Sequence, residues 1–211
     1  QPYNCQSLNN RIIFSFLYEP LFAVTDGYEA EPILAETYLV TDDGKTTTVK
    51  LRSGVTFHDG SAMTATDAAY SIASAMGSEY YGSRLRFILE AQAQDDLTLV
   101  LTTSEAYECL PLLLDIPIIK AGTKDDASPM GTGPYEFAGT KLVRCQNWWQ
   151  DSEPLVDFDE IALTISSTAA DVRDNFEYQK VNMVLTDPNS SAFAGFHNDY
   201  ELWNEETTIM Q

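Results

Sequence analysis

The sequence is short of positive charge. Only 12 lysines and arginines stand against 32 aspartates and glutamates, a formal net charge of −20. Such a surface repels phosphate backbones and anionic membranes, which excludes nucleic acid as a partner. Histidine is scarcer still, with only two in 211 residues. His58 and His197 lie far apart in the chain, so neither a paired-histidine metal site nor a histidine-based catalytic set is supported. The three cysteines, Cys5, Cys109 and Cys145, form no CxxC or Cys/His pattern. They read as buried thiols with no disulfide and no metal role. No apolar run approaches the ~20 residues of a membrane span. The first residues, QPYNCQSLNN, lack the basic and apolar regions of a signal peptide, so any export signal lies outside this sequence.

What is present is enough apolar material for a core: 44% of the residues are hydrophobic and 11% of the chain is aromatic, in a chain long enough for one large domain or two small ones. The apolar spacing at Ile12, Ile13, Phe16, Leu17 and Leu21 predicts an amphipathic helix within 8–22, ended or kinked by Pro20. Two β-rich runs flank Asp43-Gly44, the signature of a tight hairpin. Helices are predicted over 64–76 and about 83–91. A strand is predicted in DDLTLVLTTS, a short helix at 106–114 and a strand near 116–119. The polar, glycine-rich 120–134 segment is a candidate boundary. Strands follow at 134–146 and 158–165, then a helix from about 168 to 179 behind Ser166, Ser167 and Thr168, and a short strand, VNMVL. Helices and strands mix without a strict βαβα rhythm, so the fold class is mixed α+β.

HDGSAMTATDAAYSI, residues 58–72, gathers His58, Asp59 and Asp67 and invites a reading as a reaction centre. Its simpler reading is structural. Asp59-Gly60 suits a turn. Thr64 and Asp67 suit a capping box, with the aspartate too short for a strong reciprocal bond. Ala68, Ala69, Ile72, Ala73 and Met76 offer a small-residue face for packing on a sheet. No GxSxG, HExxH, P-loop or GxGxxG occurs, and GTGP at 131–134 reads as a turn. The carboxylate pairs Asp42/Asp43 and Asp95/Asp96 precede β-rich runs as hairpin turns do, and not as a glycosidase pair.

Read in order, these stretches resemble one family: the family 5 extracellular solute-binding proteins of ABC importers, which include dipeptide, oligopeptide and nickel binders. LYEPLF resembles its tyrosine-glutamate-glycine-leucine helix end. ILAETYLVTDDGKTTTVKLRSGVTFHDGSAMTATDAAYSI resembles its longest signature. There Ala35, Glu36, Asp43, Gly44, Leu51, Arg52, Gly54, Val55, Phe57, Asp59, Gly60, Thr64, Asp67 and Tyr70 fall at the expected places. GTGPYEF and VRCQNWWQ resemble two later motifs. The resemblance runs over about residues 8–187. Departures are Pro20 where the family has glycine, and Gln179, Lys180, Val181 and Asn182 in place of glycine-glutamate-valine-aspartate.

The resemblance implies a class II periplasmic-binding-protein-like fold, with residues 1–22 and 129–211 in the first ligand-binding lobe. Residues 23–128 would form an extra small α+β domain. Family members are more than twice this length, so the second lobe is expected outside this chain, which reads as an N-terminal fragment. The implied function is non-enzymatic capture of a small solute, most simply a di- or oligopeptide, in an interlobe cleft for delivery to a membrane permease. No cofactor is implied, and the setting is extracytoplasmic, periplasmic or lipid-anchored. Cys5, Gln6, Ser7, Leu8, Leu185, Thr186 and Asp187 are expected to line this half of the cleft, while Trp148 and Trp149 are expected to be structural. The competing readings are an acidic extracellular hydrolase domain, lost on changing Asp59 or Asp67, and an interaction module without transport.

Overall fold

A computed structural model describes residues 1–5, 8–150, 158–178 and 180–184. The chain divides into two compact units, Gln1–Leu163 and Thr164–Gln211.

In the first unit, α1 (Leu8–Leu17) stops three residues short of Pro20. A small ribbon of β1 (Phe22–Val24) and β2 (Ala30–Pro32) follows. Next come β3 (Ala35–Val40), β4 (Thr46–Leu51), α2 (Ala65–Met76), α3 (Gly82–Leu85), β5 (Ile88–Asp95) and β6 (Thr98–Thr103). The four strands form an antiparallel sheet in the order β3-β4-β6-β5. Its alternation is that of a sheet wet on one face: Val49, Leu51, Leu99 and Leu101 are buried, while Lys50, Glu90 and Gln92 stay in solvent. The predicted hairpin is present. Gly44 takes φ +68°, and the Asp43 carboxylate accepts the Lys45 amide at 3.0 Å. The second hairpin turns at Asp95-Asp96, where Asp95 accepts the Leu97 amide at 2.9 Å.

Several expectations are corrected. The helix expected over 83–91 ends at Leu85, and Ile88 begins β5. Good helix formers there yield to pairing with β6, since Ala91 and Ala93 stand opposite Leu101 and Leu99. The short helix at 106–114 shrinks to a 3₁₀ turn, Leu110–Leu113. The 116–119 segment is not a strand, although Ile116, Ile118 and Ile119 are all fully buried. Its Ile118 amide instead bonds the Glu19 carbonyl. Residues 181–184 form no strand either. On α2 the buried face is Ala65, Ala68, Ser71, Ile72 and Ala75, so Ala73 lies in solvent. Cys109 is exposed and Cys5 and Cys145 only half-buried, rather than buried.

A third sheet, β7 (Tyr135–Phe137), β8 (Lys141–Arg144) and β9 (Glu160–Ala162), runs in that order. It meets α1 through Tyr135 and Phe16, whose rings stand edge to face at 5.7 Å. The GTGP turn explains its glycines here. A Cβ on Gly131 would sit 2.0 Å from the Leu17 carbonyl oxygen, and one on Gly133 2.4 Å from that of Phe16. The turn is a close backbone approach to the end of α1, not a cradle for a ligand.

In the second unit, α4 (Ala169–Glu177) carries a complete capping box. The Asp171 amide donates to the Thr168 hydroxyl at 3.1 Å, and the Asp171 carboxylate accepts the Thr168 amide at 3.0 Å.

Candidate functional site

Of the residues expected to line a cleft, Gln6, Ser7, Leu185, Thr186 and Asp187 lie outside the described residues. Leu8 is the first residue of α1, and Cys5 precedes it, half-buried. The local site is therefore built around the approach to α1.

That approach is anchored by Tyr3. Its hydroxyl donates to the Pro117 carbonyl at 2.8 Å, and its ring meets Tyr81 edge-on at 6.2 Å. Burial pushes the Tyr3 phenol far up, so it stays protonated. Tyr81, at the turn between α2 and α3, stands edge-on to Tyr80 at 4.7 Å. Two cations complete the cluster. The Arg11 guanidinium lies over the Tyr80 ring at 4.2 Å, and that of Arg84 over the Tyr81 ring at 4.8 Å. Arg84 is paired with Asp115. Burial raises the Tyr81 phenol, with the Arg84 charge pulling the other way. Tyr80 remains 41% exposed.

Protonated phenols, aromatic faces and guanidinium groups hold ligands by stacking, hydrogen bonds and charge; they supply no activated nucleophile. Sequence reasoning missed this cluster. The paired tyrosines of GSEYYGSRL are its one visible trace, and nothing in linear spacing joins them to Arg11.

The 58–72 motif proves to be scaffolding. The ring nitrogen Nε2 of His58 lies 2.9 Å from the Gly133 carbonyl and its amide donates to the Gly131 carbonyl at 3.0 Å. Burial holds the imidazole pKa below its usual value, against the pull of the Gly133 bond. Asp59 accepts both the amide and the hydroxyl of Ser61 and pairs with Lys120 at 2.5 Å, which together hold its carboxyl down at about 2. The Asp67 carboxylate accepts the Thr64 amide at 2.9 Å and the Thr64 hydroxyl at 2.8 Å. The reciprocal bond expected to be weak is thus well formed. Its other oxygen accepts the Ala121 amide at 2.8 Å, tying the helix start to the chain beyond Lys120. His58, Asp59 and Asp67 therefore each have a structural partner. Among the described residues no group of three His, Cys, Asp or Glu side chains is placed to hold a metal.

Trp148 and Trp149 are structural as well. The Trp148 indole donates to the Thr132 carbonyl at 3.0 Å, and that of Trp149 to Glu19 Oε2 at 2.6 Å. Gln150 adds a bond to Glu19 Oε1 at 3.0 Å. Glu19 is 7% exposed. Burial raises its carboxyl to about 7, and the Trp149 bond opposes the rise. A separate groove of about 210 Å³ is lined chiefly by Ile13, Phe14, Leu17, Phe137 and Leu163, with Gln1, Asn10 and Ser128 adding polar groups to its wall.

Comparison with known proteins places this architecture. Residues 29–209 match the middle region of the bacterial extracellular solute-binding proteins, family 5. The chain belongs to that family. Glutathione-binding protein GsiB of Escherichia coli O1:K1 / APEC is 27% identical over 174 residues, covering 74% of this chain and 34% of its own length. Among solved structures, NikA from Brucella suis in complex with Fe(III)-EDTA superposes with a TM-score of 0.72 at 20% identity, over 86% of this chain and 40% of that one. The oligopeptide-binding protein AppA from Bacillus subtilis, in complex with a nonapeptide, gives 0.69 at 19% identity, over 86% and 39%. These two share the fold, that of a class II periplasmic-binding-protein-like lobe, of which this chain is a part. The chain spans about a third of the length of the curated relatives it matches. No helix among the described residues is long and apolar enough to cross a membrane.

Proposed function

We propose that this chain forms part of the substrate-binding component of an ABC importer, capturing a small solute between two lobes and handing it to a membrane permease. The family match over residues 29–209 carries the reading. The solute is a di- or oligopeptide or a molecule of similar size; the tripeptide named for the GsiB relative supports that scale. Residues 1–22 and 129–211 belong to the first lobe and 23–128 to a small accessory domain, with the second lobe supplied by sequence outside this chain. Cys5, Gln6, Ser7, Leu8, Leu185, Thr186 and Asp187 face the cleft, and the protein works outside the cytoplasm, either free in a periplasm or held at the surface by a lipid.

Capture of this kind needs strand amides and shaped pockets rather than reactive side chains, and closure of two lobes supplies the selectivity. A hydrolase domain gains no support: the matched family consists of solute-binding proteins, and Asp59 and Asp67 are committed to a turn, an ion pair and a helix cap. The test is incubation of the full-length protein with di- to pentapeptides, followed by mass spectrometry. Peptide retained on the protein and recovered intact is expected. Cleavage products that vanish in the Asp59→Ala variant would overturn the reading.

A further inference from the structure

Three aspartate-glycine pairs occur in the sequence, at 26–27, 43–44 and 59–60. Such a pair carries a reaction of its own, because a glycine with no Cβ leaves its amide nitrogen open to attack the preceding side-chain carboxyl. Two of the three are locked against it. The Gly44 amide donates to the Thr41 carbonyl at 2.8 Å and the Gly60 amide to the Phe57 carbonyl at 2.8 Å, so each nitrogen is held with its proton on an acceptor. Asp43 accepts the Thr41 hydroxyl at 2.7 Å and the Lys45 amide at 3.0 Å. Asp59 accepts the amide and hydroxyl of Ser61 and the Lys120 ammonium. These bonds hold both carboxyls below the usual aspartate range, and an ionised carboxylate is a poor electrophile.

The pair at 26–27 stands apart. It lies in the turn between β1 and β2, with both residues exposed. The turn is closed around it and not at it: the Thr25 amide donates to the Glu29 carbonyl at 3.0 Å, the Tyr28 amide to the Thr25 carbonyl at 2.9 Å and the Glu29 amide to the Thr25 hydroxyl at 3.2 Å. Among the described residues nothing bonds the Asp26 carboxylate or the Gly27 amide. We propose that Asp26-Gly27 is a site of spontaneous backbone isomerisation through a succinimide. The Gly27 nitrogen bonds to Asp26 Cγ, and the carboxyl hydroxyl leaves with the amide proton as water. Water then opens the ring at either carbonyl, and opening at the main-chain carbonyl leaves Gly27 joined through the Asp26 side chain. The isoaspartyl product has the mass and charge of the original and one more carbon in the main chain of the turn. No oxidant, reductant or cofactor enters.

The experiment is to hold the full-length protein in warm neutral buffer for several weeks and map its peptides, using methylation by an isoaspartyl methyltransferase and mass spectrometry that tells the two linkages apart. Isoaspartate is expected at Asp26 at a yield several-fold above that at Asp43 or Asp59. In guanidinium, where the folded hydrogen bonds are gone, the three pairs should react alike. A Cβ on Gly27 would meet only Thr25 Oγ1, at 3.7 Å, so Gly27→Ala fits the turn and should cut the yield at Asp26 several-fold by shielding the nitrogen. Asp26→Glu, which would need a larger ring, should remove the signal from that peptide. Equal yields at the three pairs in the folded protein, no isoaspartate at Asp26, or a yield there that Gly27→Ala leaves unchanged would each overturn the proposal.

Discussion

The Glu19 carboxyl is the most perturbed acid among the described residues, and its environment makes a prediction about pH. Burial between α1 and the Trp149-Gln150 segment lifts it from an ordinary value of 4.5 to about 7. The folded state thus holds a proton that the unfolded chain has already lost. The stability linked to it is fully present below pH 4.5 and disappears as pH rises through 7, amounting to about 3 kcal/mol. Glu19→Gln keeps an acceptor for the Trp149 indole and removes the titration. Urea midpoints measured from pH 4.5 to 8 on the full-length protein should fall for the wild type relative to Glu19→Gln; parallel curves would refute this account of Glu19. The depressed carboxyl of Asp59 acts in the opposite sense, its stability being lost as pH falls from 3.8 toward about 2, and so lies outside that window. None of this was legible in LYEPLF. The glutamate there is unremarkable until Trp149, far along the chain, is folded against it.

Single elements were more readable than their partners. Asp-Gly at 43–44 and the aspartates at 95–96 marked both hairpins correctly, because glycine at positive φ and aspartate bonding its own backbone are local effects. The start of α2 was equally plain in Thr64 and Asp67. What the sequence could not show is that Asp67 serves two elements, capping α2 and holding the Ala121 amide. Asp67→Ala is therefore expected to cost more than an ordinary cap, about 2 to 3 kcal/mol, because a partly buried amide also loses its acceptor. Ligand affinity of the full-length protein should stay unchanged, as a calorimetric titration beside a denaturation curve would show. A large affinity loss with stability intact would return the motif to a direct role in binding. The misread of 83–91 has the same physical origin: the helical propensity around Arg84 and Arg86 is local, whereas the pairing that makes β5 is supplied by β6.

At the scale of the molecule, one family signature spread over most of the chain carries both the fold and the proposed function. The order of the motifs survived where individual elements did not, since the hairpins, the capped α2 and the glycine turn against α1 are positions where backbone geometry restricts the residue. The cluster of Tyr3, Tyr80, Tyr81, Arg11 and Arg84 had no such signature: its members come from the N-terminal segment, α1, the turn after α2 and α3, and only folding joins them. The central claim is that capture needs two lobes, of which this chain holds part of one. Thermal unfolding of the full-length protein and of this 211-residue chain, each with and without a panel of di- to pentapeptides, tests it most directly. At a hundredfold excess over Kd a bound peptide adds about 2.7 kcal/mol, so the full-length protein should show a rise of several degrees with at least one peptide and the chain alone none. An equal rise for the chain alone would contradict the two-lobe account.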